Sequence, residues 1–313
     1  MNRTLLTHIA RGLIRPPFFY AIILGLLACT GLKAETNQPS NKDTRYPFKV
    51  EIKGHGRPVI LIPGLYSSGQ VWESTVNKYK ANYECHVLTL AGLAGEPPIN
   101  APFLEKIRLG LADYIRSKKL RKPVVIGHSM GGFLALWLAS KEPELIGPIV
   151  VIDMLPFLPA AQQPNATPDS MKSQAEMMRK GMLAQTPEQR QQMQLAVLQS
   201  MITDPSNVAL AAKWGAASDP NTTAQAMYEM FTTDLRPYLA HIKAPTLVIG
   251  TWVGLRQYAT REQVEKNFRT QYAGLPGYKF VMSEKAKHFI MFDDPAFLFK
   301  EIDNFLMTHN QKG

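Results

Sequence analysis

Short apolar runs alternate with longer amphipathic stretches along most of the chain after residue 46. Seven runs rich in β-branched and other apolar residues predict strands, at Phe48–Lys53, Pro58–Ile62, His86–Leu90, Val124–Ile126, Pro148–Ile152, Thr246–Ile249 and Tyr278–Met282. Several of them are apolar at nearly every position, which is typical of strands buried on both faces. Helices are predicted near residues 101–118, 130–140, 261–271 and 295–308. The alternation indicates an α/β fold, with a mostly parallel central sheet flanked by helices.

The alternation is interrupted over residues 156–236, which contain no strand-like run. This segment is rich in Ala, Gln and Met, and it holds eight of the chain's 14 methionines, from Met171 to Met230. We interpret it as a helical cap inserted between two parts of the core, residues 35–155 and 237–313. The cap is predicted to cover the carboxyl edge of the sheet, where open α/β sheets bind ligands. The methionines allow two interpretations: an adaptable apolar pocket, or the small core of the cap itself.

Residues 1–34 have the layout of a bacterial-type export signal. Arginines precede an almost purely apolar run from Phe18 to Ala28, and small residues follow as far as Ala34. The run is short for a transmembrane helix, which needs about 20 residues. Residues 26–29 also resemble a lipoprotein cleavage box, so cleavage after Ala34, lipidation of Cys29 and an ordinary apolar role for Cys29 all stay open. We expect an exported protein, either periplasmic, secreted or attached to a membrane through its N-terminus.

Composition excludes several classes of protein. The 313 residues are 45% hydrophobic and 19% charged, unlike collagen or a disordered chain. Two cysteines cannot form a disulfide framework, and Cys85 is predicted to be a buried thiol. The formal net charge of +10 first suggests an anionic partner, but residues 1–34 hold four basic residues and no acidic ones, which leaves +6 for the remainder. Because no nucleic-acid-binding motif accompanies these charges, we expect no nucleic-acid partner.

The sharpest motif lies between a predicted strand and a predicted helix. It reads Gly127-His128-Ser129-Met130-Gly131-Gly132. The pattern G-x-S-x-G between a strand and a helix is typical of a nucleophile elbow, a tight turn that presents a serine hydroxyl above a sheet. Ser129 is therefore the predicted nucleophile, and His128 beside it is interpreted as a structural residue.

With this elbow, the chain resembles the α/β-hydrolase family, specifically its cap-bearing serine hydrolases. The resemblance covers roughly residues 48–306, and it includes Trp72 and a second motif, Leu61-Ile62-Pro63-Gly64-Leu65. Family members usually carry His-Gly where this chain has Pro63-Gly64. The family's oxyanion hole uses the main-chain N–H groups of the residue after that glycine and of the residue after the nucleophile, which implies Leu65 and Met130 here. Main-chain donors do not depend on side-chain identity, so Pro63 is compatible with this role.

The resemblance also implies a catalytic histidine in the loop that follows the last strand. The run Ala286-Lys287-His288-Phe289 lies there, before the final predicted helix. Serine is a weak nucleophile unless an imidazole accepts its proton. His288 is therefore the predicted general base.

The acid of the triad is where the chain departs from the family pattern. In the family it usually follows the strand that corresponds to Thr246–Ile249, but no carboxylate stands there and Val253 lies near the expected position. Asp153, at the end of the preceding strand, is the preferred candidate, because some family members draw their acid from that strand and the chain order nucleophile, acid, base is kept. The alternatives are Asp153 as a turn cap, a Ser–His dyad, or one of three other acids, Glu262, Asp234 and Asp219.

These residues predict an exported serine hydrolase that cleaves small-molecule carboxylic esters or lactones with an apolar portion. No cofactor and no metal are expected, since the sequence contains no metal-ligand motif. The alternatives on the same fold are thioester or C–C bond hydrolysis, peptide cleavage and perhydrolysis. A different alternative is a non-catalytic binding module that has lost the acid of the triad.

Overall fold

A computed structural model describes residues 45–309 of the chain. The prediction for residues 1–34, including Cys29, lies outside the described residues. Within the described range, seven strands form one sheet in the order β1-β3-β2-β4-β5-β6-β7, and only the edge strand β1 is antiparallel to its neighbour. The strands are β1 Phe48–Gly54, β2 Arg57–Ile62, β3 Tyr83–Leu90, β4 Val124–His128, β5 Ile149–Ile152, β6 Thr246–Thr251 and β7 Lys279–Ser283. The predicted fold class is confirmed.

Ten α-helices accompany this sheet in the described range. They are α1 Glu73–Tyr79, α2 Phe103–Ser117, α3 Met130–Lys141, α4 Pro168–Leu183, α5 Pro187–Met201, α6 Pro205–Ala216, α7 Pro220–Thr232, α8 Arg261–Gln271, α9 Ile290–Asp293 and α10 Pro295–His309. None of them is long and apolar enough to cross a membrane. The short helix α1 was not predicted, because seven residues are too few to establish a helical period.

The core has two apolar layers, one on each face of the sheet. Successive residues of β2 point to opposite faces of the sheet. Ile60 and Ile62 pack into one apolar layer, and Val59 and Leu61 pack into the other. This double burial explains why the strands read as continuous apolar runs. Cys85 lies in the second layer as a free, buried thiol, as predicted, and burial raises its pKa to about 11.

The segment 156–236, all of it described, contains four α-helices and no strand. Each helix begins with the same N-terminal motif, a Thr or Asp N-cap followed by proline. The caps are Thr167, Thr186, Asp204 and Asp219, and each side chain accepts a hydrogen bond from a main-chain N–H of the first turn. Proline fits the first helical position because its missing N–H would have no partner there. Helix α4 packs on α7 and α5 packs on α6, so this segment, the predicted cap, contains two helix pairs.

Of the cap methionines, Met171 and Met230 are buried, whereas Met177 is exposed. The first of these belongs to a small apolar cluster of the cap, together with Phe157 and Phe231. Met230 belongs to the core layer that covers one face of the sheet. Met171 therefore fits the second of the two interpretations, a small core of the segment itself, whereas Met230 fits neither.

Candidate active site

Ser129 occupies a strained turn between β4 and α3. Its φ is 52° and its ψ is −123°, a left-handed conformation that costs a non-glycine residue about 1–3 kcal/mol. The turn is tight enough to require glycine on both sides. A Cβ on Gly127 would lie 2.2 Å from the carbonyl oxygen of Gly131, and one on Gly131 would lie 2.1 Å from that of Ile62. The G-x-S-x-G pattern is thus explained by close backbone packing at the elbow.

His288 and Asp153 form a hydrogen-bonded pair at the same edge of the sheet. His288 Nδ1 lies 2.6 Å from Asp153 Oδ2. Asp153 directly follows β5, and its other carboxylate oxygen, Oδ1, accepts a hydrogen bond of 3.1 Å from the main-chain N–H of Thr251. With an ionised carboxylate, Nδ1 of the imidazole is the donor, so Nε2 is left with a free lone pair. This is the tautomer that a general base requires.

Of the six non-glycine residues with positive φ in the described part of the chain, three lie at or beside the predicted site residues. They are Tyr66, Ser129 and Asp153, with φ values of 62°, 52° and 49°. Tyr66 follows the predicted oxyanion residue Leu65, and the other two are the predicted nucleophile and acid. Such conformations persist only where surrounding structure imposes them, and they concentrate at functional sites. The strained backbone conformations therefore lie at the same residues that the sequence motifs indicate as the site.

The predicted oxyanion donors lie on the two chain segments that flank Ser129. A Cβ on Gly64 would lie 3.1 Å from Ser129 Cβ, so the main chain just before Leu65 packs against the nucleophile. Met130 is the first residue of α3, and its N–H has no carbonyl partner within the helix. This placement is compatible with the role predicted for both N–H groups.

The structure places the other candidate acids away from His288, each in a different local role. Asp219 caps α7, where it accepts hydrogen bonds from Thr222. Asp234 forms an ion pair of 2.7 Å with Arg236. Glu262 is exposed in the first turn of α8. Val253 begins a short 3-10 turn after β6. Asp153 is the candidate that the fold brings to the imidazole.

His128, which the sequence analysis interprets as a structural residue, contacts the loop that carries His288. It is completely buried, and its Nε2 lies 3.1 Å from the carbonyl oxygen of His288, to which it donates a hydrogen bond. The two rings also pack together, with centroids 4.6 Å apart. Burial, and secondarily the nearby His288, holds the pKa of His128 well below its usual range. A neutral His128 both anchors the main chain of the general base and avoids repulsion when His288 gains a proton.

The neutral state of His128 predicts a pH-dependent stability. In the unfolded chain its pKa returns to the ordinary 6.5. Below that pH the unfolded state takes up a proton that the folded state does not, so the free energy of unfolding should fall by up to about 2 kcal/mol between pH 7 and 5. His128→Gln should remove this pH-dependent loss of stability. Urea unfolding at pH 7 and at pH 5 measures the free energy of unfolding for both proteins.

Two histidines provide the comparison for this experiment. Burial also lowers the pKa of His86, so part of the acid destabilisation should survive in His128→Gln. His241 is exposed, and His241→Gln should behave like the unsubstituted protein. An equal loss of stability on acidification in His128→Gln and in the unsubstituted protein would contradict the neutral, buried state.

No cluster of metal-binding side chains accompanies these groups in the described part of the chain. Between residues 45 and 309, no three His, Cys, Asp or Glu side chains are grouped to hold a metal ion. The polar groups at the elbow are thus a serine, an imidazole and a carboxylate, together with main-chain donors.

A mostly parallel sheet with a strained serine between strand and helix, and a histidine–aspartate pair at the same edge, defines the class of α/β hydrolases. Residues 59–301 match the family model described as the alpha/beta hydrolase family. This range covers more than three quarters of the sequence, and the chain belongs to that family.

Similar proteins include esterases and lipases. A pimeloyl-[acyl-carrier protein] methyl ester esterase from Vibrio atlanticus is 26% identical over 113 residues, which cover 36% of this chain and 42% of that protein. An sn-1-specific diacylglycerol lipase from Danio rerio is 31% identical over 112 residues, which cover 35% of each chain. The chain thus spans less than half the length of these curated relatives.

Solved structures resemble the chain over a larger range. A hydrolase from Pseudomonas aeruginosa has a TM-score of 0.69 at 17% identity, with 83% of this chain and 94% of that chain covered. An enol-lactonase from Burkholderia xenovorans has a TM-score of 0.63 at 21% identity, with 83% and 96% covered. At these identities the likeness shows the shared fold.

Proposed function

We propose that this protein is a serine hydrolase that cleaves carboxylic esters or lactones through an acyl-enzyme on Ser129. The observation that carries the proposal is the 2.6 Å pair between His288 and Asp153 at the edge where the strained serine lies. An aspartate that fixes the imidazole tautomer is what a serine nucleophile needs to be activated. The absence of an acid after β6 favours a non-catalytic binding module as the alternative, and the bond between Asp153 and His288 supports the catalytic proposal against it.

The proposed reaction assigns one role to each group of the site. Ser129 Oγ attacks the ester carbonyl carbon while His288 Nε2 accepts its proton. The N–H groups of Leu65 and Met130 stabilise the tetrahedral oxyanion, and each such donor contributes about 3 kcal/mol. The C–O bond then breaks, and the leaving alcohol takes the proton from His288. A water molecule, deprotonated by the same imidazole, releases the acid and restores Ser129.

Two observations favour carboxylic esters as the substrate class. The curated relatives described above are named as an esterase and a lipase. Two helices of the segment also reach the loops around the site: the side chain of Thr223 in α7 lies close to that of Tyr66. The carbonyl oxygen of Met201 in α5 accepts a hydrogen bond of 3.2 Å from the main-chain N–H of Phe289. Because these helices contact the loops at the carboxyl edge of the sheet, we propose a substrate with an apolar portion that lies between them and the site.

The direct test is a fluorophosphonate probe followed by a panel of p-nitrophenyl esters and lactones. We expect the probe to label the folded protein at Ser129 and the esters to be hydrolysed, with rates that change with acyl length. A folded protein that takes no label and hydrolyses no ester would overturn the proposal in favour of a binding module.

We also propose that the protein is exported, on the basis of the signal-like residues 1–34 alone. Cell fractionation and the mass of the mature N-terminus test this separately. A mature chain that begins near residue 35 supports cleavage after Ala34, and a lipidated N-terminal Cys29 supports membrane attachment. An intact Met1 in the cytoplasm would overturn export without affecting the enzymatic proposal.

A further inference from the structure

The loop that carries His288 is bonded to one corner of the cap. We define the base loop as residues 284–289 and the cap corner as residues 199–203, the end of α5 and the turn that follows. The ammonium group of Lys287 donates to the carbonyl oxygens of Gln199 and Ile202, at 2.8 and 3.1 Å. The main-chain N–H of Phe289 donates to the carbonyl oxygen of Met201 at 3.2 Å. The residues on both sides of the general base are therefore attached to the cap.

Asp293 joins the same two segments with a single carboxylate. Its Oδ1 accepts from the main-chain N–H of Thr203 at 3.0 Å, and its Oδ2 accepts from the Thr203 hydroxyl at 2.9 Å. The same Oδ2 also accepts from the main-chain N–H of Lys287 at 3.0 Å. Asp293 thus fixes the cap corner and the base loop relative to each other.

Physical chemistry explains why these contacts are specific. The last carbonyl groups of a helix have no partner within it and carry partial negative charge, so a cation at the end of α5 is favoured. Lys287 supplies that cation. Below these polar contacts, Leu198 and Ile202 pack into the same apolar layer as Phe289. The end of α5, and with it the helix pair α5 and α6, is therefore held against the base loop by both apolar and polar contacts.

We propose that Lys287 and Asp293 are positioning residues, which make the placement of His288 depend on the seating of the cap corner. The proposal rests on the proposed function, because it assumes that His288 is the general base. Neither residue touches the reacting atoms. A shift of the cap corner would move the main chain on both sides of His288, and misplacement of a catalytic group by about 1 Å can cost a factor of about 100 in rate.

The first test compares two lysines of the base loop. Lys287→Met keeps an unbranched apolar side chain but loses the ammonium, and we expect kcat for p-nitrophenyl butyrate to fall about tenfold with KM changed less than threefold. Lys285 is exposed in the same loop, so Lys285→Met makes the same charge change and should keep kcat within twofold. Lys287→Arg restores a cation at the helix end and should recover most of the loss. Equal kcat values for Lys287→Met and Lys285→Met would overturn the proposal.

A second pair of variants changes the network from the cap side. Thr203→Val removes the hydroxyl bonded to Asp293, and we expect a smaller fall in kcat, about threefold. Thr232→Val removes a hydroxyl bond of 2.9 Å that stays within α7, and it should leave kcat unchanged. Both variants delete one threonine hydroxyl from the cap, so only the link to the base loop distinguishes them.

Hydrogen exchange provides a measurement that does not depend on turnover. Peptides covering residues 284–293 should exchange faster in Lys287→Met and Thr203→Val than in Lys285→Met and Thr232→Val. If the protein hydrolyses no ester, the proposed function fails, while these exchange rates still show whether the cap corner holds the base loop. Unchanged exchange in all four variants would overturn the structural link itself.

Discussion

Replacing Ser129 with alanine is expected to abolish ester hydrolysis, with kcat reduced by about 10⁴-fold or more. The substitution removes the oxygen that attacks the carbonyl, and neither His288 nor the oxyanion donors can replace it. What remains is the modest acceleration that binding and oxyanion stabilisation provide without a nucleophile. The measurement is the hydrolysis rate of a short p-nitrophenyl ester together with fluorophosphonate labelling, which should also be lost.

The fold should survive this substitution. Alanine keeps the Cβ and the backbone strain at φ 52°, so the free energy of unfolding should change by less than about 1 kcal/mol. Ser140→Ala, in the helix α3 that follows Ser129, is a matched control because its hydroxyl donates to the carbonyl oxygen of Trp137 within that helix. It should retain full activity. Turnover of Ser129→Ala within tenfold of the unsubstituted protein would mean that another group is the nucleophile.

The elbow could be predicted from sequence because its determinants are local. The glycines, the serine, the preceding strand and the following helix lie within about twenty consecutive residues, and the backbone packing at Gly127 and Gly131 explains each fixed position. The same holds for the strands, whose burial on both faces leaves a continuous apolar signature. His288 was located only by resemblance, since a lone histidine in a loop has no local signature.

The sequence reduces the choice of triad acid to a few candidates but does not select one of them. The selection depends on the register in which the strands pair, because the register determines which carboxylate lies beside His288. Ile152 pairs with Ile249 across β5 and β6, so Asp153 leaves β5 beside the place where the next strand ends. From there its carboxylate reaches His288, which lies 135 residues away in the chain. The main-chain N–H of Thr251, at the end of the strand that carries the acid in most family members, binds the same carboxylate. An acid one strand away can thus serve the same imidazole.

The contacts of His128, Lys287 and Asp293 could not be predicted at all. Each joins segments that are distant in sequence, and each uses main-chain carbonyl or N–H groups as partners. Main-chain partners leave no trace in residue identity. Such contacts depend on how the loops and the cap pack together, and this becomes visible only when the chain is folded.

The second large effect is expected for Asp153→Asn, which should lower kcat by about 10³- to 10⁴-fold while the fold is kept. Asparagine has the same shape and tolerates the left-handed conformation that Asp153 adopts, with φ at 49°. Its oxygen can still accept the hydrogen bond from Thr251. Its amide nitrogen, however, would face His288 Nδ1 as a donor and would favour the tautomer with the proton on Nε2. An imidazole in that tautomer cannot accept the serine proton, and the same exchange in a serine protease costs about 10⁴ in kcat.

Two variants make this test specific to Asp153. Asp219→Asn makes the identical chemical change at the N-cap of α7, where it should reduce stability by no more than about 1 kcal/mol and leave kcat within twofold. Glu262→Gln, on the exposed first turn of α8, should change neither the stability nor kcat. Thermal unfolding of all three variants separates a loss of activity from a loss of fold. Full turnover in a folded Asp153→Asn would show that Ser129 and His288 act as a dyad, with Asp153 reduced to a cap on the turn after β5.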